Sequence, residues 1–168
     1  WDVFLDAIKG LINKKMNMKF ILIGQGNEYD KLMKKIREYG LEKNKFLELY
    51  PFLDQKDLVD MYNKMDVFCF PTRRKSESLG LVGLEAMACG AIVIGSNCFG
   101  PSSYLIDGVN GFVFNPKDSN ELREKIMYVY KMSIEDRKRI SIMAIETAKE
   151  YDSNLVQQEL GDFFERHF

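Results

Sequence analysis

Four short apolar runs set the frame of this chain: MKFILIG (18–24), KFLELY (45–50), DVFCFP (66–71) and AIVIGS (91–96). Each is the length of a strand and is largely too apolar to leave a face in water. Between them the apolar residues recur at helical spacing. Phe4, Leu5, Ile8, Leu11 and Ile12 predict a helix over 1–15. Tyr29, Leu32, Met33, Ile36 and Tyr39 predict a second, closed by Gly40. Asp54 reads as the cap of a short helix carrying Leu58, Met61 and Tyr62. A helix over 80–90, a helical turn near 102–106 and a strand at the end of DGVNGFVF follow. DSNE (118–121) resembles a capping box opening a helix with Leu122, Ile126, Val129 and Tyr130, and further helices are expected over about 134–150 and 153–167. Strands alternating with helices predict an α/β fold, a doubly wound parallel sheet covered on both faces. With no repeat or long linker, residues 1–168 read as a single domain.

Composition narrows the function. The chain has 168 residues, 46% hydrophobic and 29% charged, and a formal net charge of −1, which removes the electrostatic case for a nucleic-acid partner. The one basic cluster, Arg73-Arg74-Lys75, is either a solvated loop or a phosphate contact. Cys69, Cys89 and Cys98 have no metal-ligand spacing and suit a reducing, cytoplasmic setting. The apolar stretch 79–95 is too short and too rich in Gly to span a membrane, and Glu85 interrupts it. Trp1-Asp2-Val3-Phe4-Leu5 reads like the interior of a helix, as though the chain starts partway through a domain.

Ligands of open parallel sheets bind beyond the carboxyl ends of the strands. The loops to inspect are therefore Gly24–Glu28, Tyr50–Asp54, Pro71–Gly80 and Ser96–Ser103. The third feeds a helix whose first turn, Gly80-Leu81-Val82-Gly83, has no bulky polar side chain to block its amides. Such a helix start suits a phosphate or diphosphate, and Gly80 is expected to let a ligand approach the backbone. Glu77 precedes the helix and Glu85 lies within it. Carboxylates repel phosphate but accept hydrogen bonds from paired hydroxyls, as on a ribose or hexose. A diphosphate between two hydroxyl-rich rings describes a nucleotide sugar. The other reading of Glu85 is an ion pair with an Arg from a neighbouring element.

ESLGLVGLEAMACGAIVIGS closely resembles the E-x7-E segment of retaining GT-B glycosyltransferases of family 4. FILIGQGNEYDKL, DMYNKMDVFCFPT and LIDGVNGFVFNPKDSNEL resemble family segments before and after it, in the right order, so that nearly the whole chain is similar to the C-terminal, nucleotide-sugar-binding half. The resemblance implies that Glu85 holds the ribose and that Glu77 contacts the donor sugar and takes part in catalysis. It assigns diphosphate and sugar contacts to the backbone at Ser78, Leu79, Gly80, Leu81 and Val82, base recognition to Pro51 and Phe52, and donor binding to Gly24 in a loop similar to the family's Gly-x-Gly loop. Leu79 stands where Phe is common. GPSSYLI (100–106) replaces a Gly-Gly-x-Pro-Glu wording, so Ser103 sits where an acid is frequent. The family's first strand, with an Arg and a Lys that clamp the diphosphate, is expected just before Trp1.

What the resemblance implies is retaining transfer of a hexose from a UDP- or GDP-sugar to an acceptor sugar or lipid-linked sugar. The acceptor would be held by an N-terminal domain outside this chain, in surface polysaccharide or glycolipid synthesis. No metal or other cofactor is implied, and contact with a membrane surface would belong to the complete enzyme. The fragment alone would be inactive. A sugar-nucleotide epimerase of the same architecture and a non-catalytic binding module are the alternatives. Phe163, Phe164 and Phe168 would be exposed if the last helix crosses toward the other domain, and His167 reads as an exposed helix-end residue.

Overall fold

The computed structural model describes residues 1–12, 16–42, 45–73, 78–98 and 100–153. In chain order the elements are α1 (Asp2–Ile12), β1 (Phe20–Ile23), α2 (Tyr29–Glu38), β2 (Leu47–Tyr50), α3 (Gln55–Tyr62), β3 (Val67–Phe70), α4 (Leu81–Ala88), β4 (Ile92–Ser96), a 3-10 turn (Gly100–Ser103), β5 (Phe112–Phe114), α5 (Ser119–Lys131) and α6 (Ile134–Lys149). The alternation expected from the sequence is present throughout. The helix expected over 153–167, with Phe163, Phe164, His167 and Phe168, lies outside the described residues.

Every strand pair is parallel. β1 pairs with β2, Phe20 opposite Leu47 and Ile23 opposite Tyr50. β4 lies between β3 and β5, with Phe70 opposite Gly95 and Ser96 opposite Phe114. Alternate residues of β4 serve opposite layers. Ile92 and Ile94 join the core built with α1, α2 and α5, whereas Val93 packs with Tyr62, Leu84, Met87 and Tyr104. Helices therefore cover both faces, as expected. α6 closes the layers with Ile140 in the first core and Ala144 in the second.

Among the described residues β1–β2 and β3–β4–β5 form separate sheets. A cavity of about 1470 Å³, lined by Phe20–Ile23 on one side and Val67–Phe70 on the other, lies between them. No described helix is long and apolar enough to cross a membrane.

Local chemistry explains the boundaries. Asp54 caps α3 by accepting from the Asp57 amide at 2.8 Å, as its sequence position predicts. Asp118 caps α5 through the amides of Asn120 and Glu121. The reciprocal half of the expected capping box is absent, because the Glu121 carboxylate accepts from the Asn115 amide at 2.8 Å instead. It thereby ties the end of β5 to the start of α5. The turn expected over 102–106 begins earlier, at Gly100, with the Ser103 hydroxyl donating back to the Gly100 carbonyl at 2.7 Å.

Ile94 is fully buried in the middle of the central strand. Ile94→Ala should lower unfolding stability by about 2–5 kcal/mol, because neighbours on both sides prevent collapse into the cavity. Urea denaturation checks this, with the midpoint falling and the slope unchanged.

Candidate functional site

The carboxyl ends of β3 and β4 are tied together before any ligand is considered. Ser96 Oγ donates to the Phe70 carbonyl at 3.3 Å, and Cys98 Sγ donates to the Thr72 carbonyl at 3.4 Å. Arg73, at the end of β3, reaches back to Asp2, its Nη2 lying 2.6 and 2.8 Å from the two carboxylate oxygens. Partial burial opposes ionisation of Asp2, but the Arg73 bond, the Val3 amide and the nearby positive charges hold its carboxyl below the usual range. Of the two roles considered for the basic cluster, Arg73 fits the solvated loop: it is exposed after β3 and pairs there with Asp2. Arg74 and Lys75 lie outside the described residues.

The tip of α4 is built on glycine. Gly80 has φ +75° and ψ +57°, the left-handed region, and precedes the first helical residue, Leu81. A Cβ there would stand 2.6 Å from the Phe70 ring. Its carbonyl accepts from the Gly83 amide at 2.9 Å and from the Tyr104 hydroxyl at 3.2 Å. At Gly83 a Cβ would collide with Tyr104 Oη, and at Gly100 one would stand 2.5 Å from the Leu79 carbonyl group. Three glycines thus let Phe70, Tyr104 and the 3-10 turn press against the tip.

Gly80 itself is buried, and its missing side chain makes room for Phe70. The open part of the tip lies one residue on. Leu81 is 63% exposed and Val82 38%, and Ser78 is exposed as well. Leu79 is half-buried and packs on the second core, which explains why an aliphatic side chain suits that position. At the first turn of a helix the leading amides lack intrahelical acceptors, and Gly80 has no side chain to cap them.

Glu85 is half-buried, in the second turn of α4. The expected alternative, an ion pair with an arginine, does not occur among the described residues. Its described partner is Tyr62, which ends α3 and donates its hydroxyl to Glu85 Oε2 at 3.3 Å. Burial, and then the Glu85 charge, push the Tyr62 phenol well above its ordinary range, so it remains a donor. Burial followed by the same charge raises the Cys89 thiol, while burial alone pushes Cys69 up to about 12. Glu77 lies outside the described residues.

The remaining predicted positions lie at the ends of the other sheet. Pro51 and Phe52 follow β2 and are exposed, Phe52 by 70%. Gly24 follows β1 with φ +139°, and the Trp1 indole occupies the space where a Cβ would stand. The cavity between the sheets reaches Gln25, Gly26, Tyr62, Thr72 and Val82. Two residues of this site, Tyr62 and Tyr104, were read from the sequence only as apolar helical or turn positions. The available signal was a hydroxyl on a core-facing ring, which needs a partner when buried.

Residues 1–147 match the family described as glycosyl transferases group 1. The chain belongs to that family. Membership sets the transferase above the epimerase and the binding module as the reading of the site. A glycosyltransferase of Methanocaldococcus jannaschii, named as uncharacterized, is 33% identical over 127 residues, covering 75% of this chain and 33% of that protein. The poly(ribitol-phosphate) alpha-N-acetylglucosaminyltransferase of Staphylococcus aureus is 30% identical over 127 residues, covering 75% of this chain and 24% of that enzyme. The chain thus spans a third or less of these relatives. In three dimensions it is similar to Anabaena HepE, solved in complex with UDP, with TM-score 0.83 and 24% identity over 98% of this chain and 44% of HepE. That likeness establishes the shared α/β glycosyltransferase fold.

Gly83→Ala should cost about 1–3 kcal/mol of stability through the collision with Tyr104. Adding Tyr104→Phe, which removes Oη, should recover part of that loss. Thermal unfolding of the two single variants and the double variant checks for this non-additivity.

Proposed function

We propose that this chain is the donor-binding part of a retaining hexosyltransferase that uses a UDP- or GDP-sugar. The observation that carries the reading is Glu85. It is a half-buried carboxylate on a glycine-tipped helix, without a described cation and with a single phenolic partner. Such a group is ready to accept from a pair of ligand hydroxyls, which offset its partial desolvation.

In the proposed complex Glu85 accepts from the ribose hydroxyls. The leading amides of α4, at Leu81 and Val82, receive the diphosphate together with backbone at Ser78, Leu79 and Gly80. The base lies against Pro51 and the exposed ring of Phe52, and the loop at Gly24 forms the opposite wall. Glu77 contacts the donor hexose and serves as the catalytic acid residue of the pair. No metal ion is needed in this reading, because amide donors and the helix dipole meet the negative charge.

Cleavage of the glycosidic bond leaves that charge on the nucleoside diphosphate. Preorganised amides stabilise it without reorganising, and each such donor is worth about 10²–10³ in rate. The acceptor hydroxyl would attack the face from which the diphosphate departs and pass its proton to the departing phosphate oxygen, which gives retention. UDP in the HepE complex supports a uridine nucleotide for this fold, and the polymer named for the S. aureus relative supports a surface-polysaccharide or glycolipid acceptor. Binding of that acceptor, any contact with a membrane surface and a cytoplasmic location are part of the same proposal. So is the inactivity of this chain by itself.

Titration with UDP and with GDP, followed by amide NMR, tests the reading. Saturable shifts centred on residues 51–52 and 78–85 are expected with one nucleotide or both. Glu85→Ala should weaken binding about tenfold to a hundredfold, the worth of a hydrogen bond to a charged group. Shifts confined to other faces, or an unchanged affinity in Glu85→Ala, would overturn it.

A further inference from the structure

We propose that Tyr62 is a positioning residue for Glu85, fixing the carboxylate so that one oxygen faces the nucleotide's ribose hydroxyls. The inference rests on the role proposed for Glu85. Tyr62 is 2% exposed at the end of α3, and its ring meets Phe68 edge to face with centroids 5.7 Å apart. The ring is thus held from β3 while its hydroxyl reaches across to α4. The donor cannot swing away, and the acceptor can. Glutamate has three side-chain torsions, and a half-buried carboxylate without a cation would otherwise sample several of them.

Oε2 is occupied by the phenol, and Oε1 has no hydrogen bond or ion pair among the described residues. A carboxylate oxygen accepts more than one bond, so Tyr62 leaves capacity for two adjacent ligand hydroxyls. The 3.3 Å separation is long for a hydroxyl and a carboxylate. Bonds of this kind tighten when the site fills. Packing alone does not require the oxygen, because phenylalanine would fill the same space between Phe68, Leu84 and Met87. The hydroxyl is therefore assigned to the ligand side of the structure.

The test compares UDP with 2′,3′-dideoxyuridine diphosphate, which keeps the base and diphosphate and lacks both hydroxyls. Tyr62→Phe should weaken UDP about three- to tenfold and leave the dideoxy nucleotide unchanged. A purely structural role would weaken both alike. Equal losses, or no loss for UDP, would overturn the proposal. In the Glu85→Ala background Tyr62→Phe should cost UDP nothing further, the signature of two residues acting as one.

Glu85→Ala also separates this inference from the reading beneath it. If Glu85→Ala leaves the preference for UDP over the dideoxy nucleotide intact, the role of Glu85 fails. If it abolishes that preference and Tyr62→Phe does not reduce it, only the positioning role fails. Should Tyr62→Phe not fold, ortho-fluorotyrosine at position 62 replaces it. The more acidic phenol should tighten UDP and leave the dideoxy nucleotide unchanged, and an unchanged UDP affinity would then overturn the proposal.

Discussion

All five residues of β4 are buried, and the rest of the molecule is arranged around that constraint. A strand with no exposed face needs a partner on each edge and a helical layer above and below. β3 and β5 supply the edges. Ile92 and Ile94 demand one layer, Val93 the other. Gly95 sits where a side chain would collide with Leu105 and crowd Pro101, so the chain leaving β4 can fold back against its own strand. That return brings Tyr104 under the tip of α4. The site geometry is a consequence of how the central strand is enclosed.

The same packing explains why glycines cluster at 80, 83, 95 and 100. Read singly, each is a small residue near a turn. Read together, they line the contacts among the α4 tip, Phe70, β4 and the 100–105 segment, with the Leu79 backbone, the Phe70 and Tyr104 rings and the Leu105 and Pro101 side chains where Cβ atoms would be. Close packing beneath the tip fixes its direction, and a fixed set of amides is what gives preorganised donors their electrostatic value. Rigidity at the tip comes from below, on the side away from the exposed Leu81 and Val82.

Most of this architecture was legible in the sequence because period and composition are local properties. The runs at 18–24, 66–71 and 91–96 are recognisable as strands from their apolar content, although only the last is buried throughout, and Asp54 and Asp118 announce helix starts by their side-chain chemistry. Partners are not local. Glu121 was assigned to its own helix terminus but bonds Asn115. Gly80 reads in the sequence as an opening for a ligand, and the fold adds a second need for it, room for Phe70. Arg73 lies among like charges in the sequence but binds Asp2, 71 positions earlier. In each case spacing identified a group with an unmet need, and only the fold determined what met it.

Glu85 shows how such a need becomes a binding property. An acid in an apolar helix has three ways to be tolerated: neutralisation by a cation, protonation, or neutral donors. A cation would give the strongest local attraction, but it would also compete with a neutral ligand for the carboxylate's lone pairs. A single buried phenol leaves the charge in place and uses only part of the acceptor capacity. The choice of tyrosine over arginine therefore favours an incoming diol over a permanent ion pair. The carboxylate also lies on the same helix as the uncapped leading amides of Leu81 and Val82. In the proposed complex, a ligand that satisfies both carries an anion and hydroxyls at matching positions, and selectivity for a nucleoside diphosphate would then be a property of one short helix and the ring that steadies it.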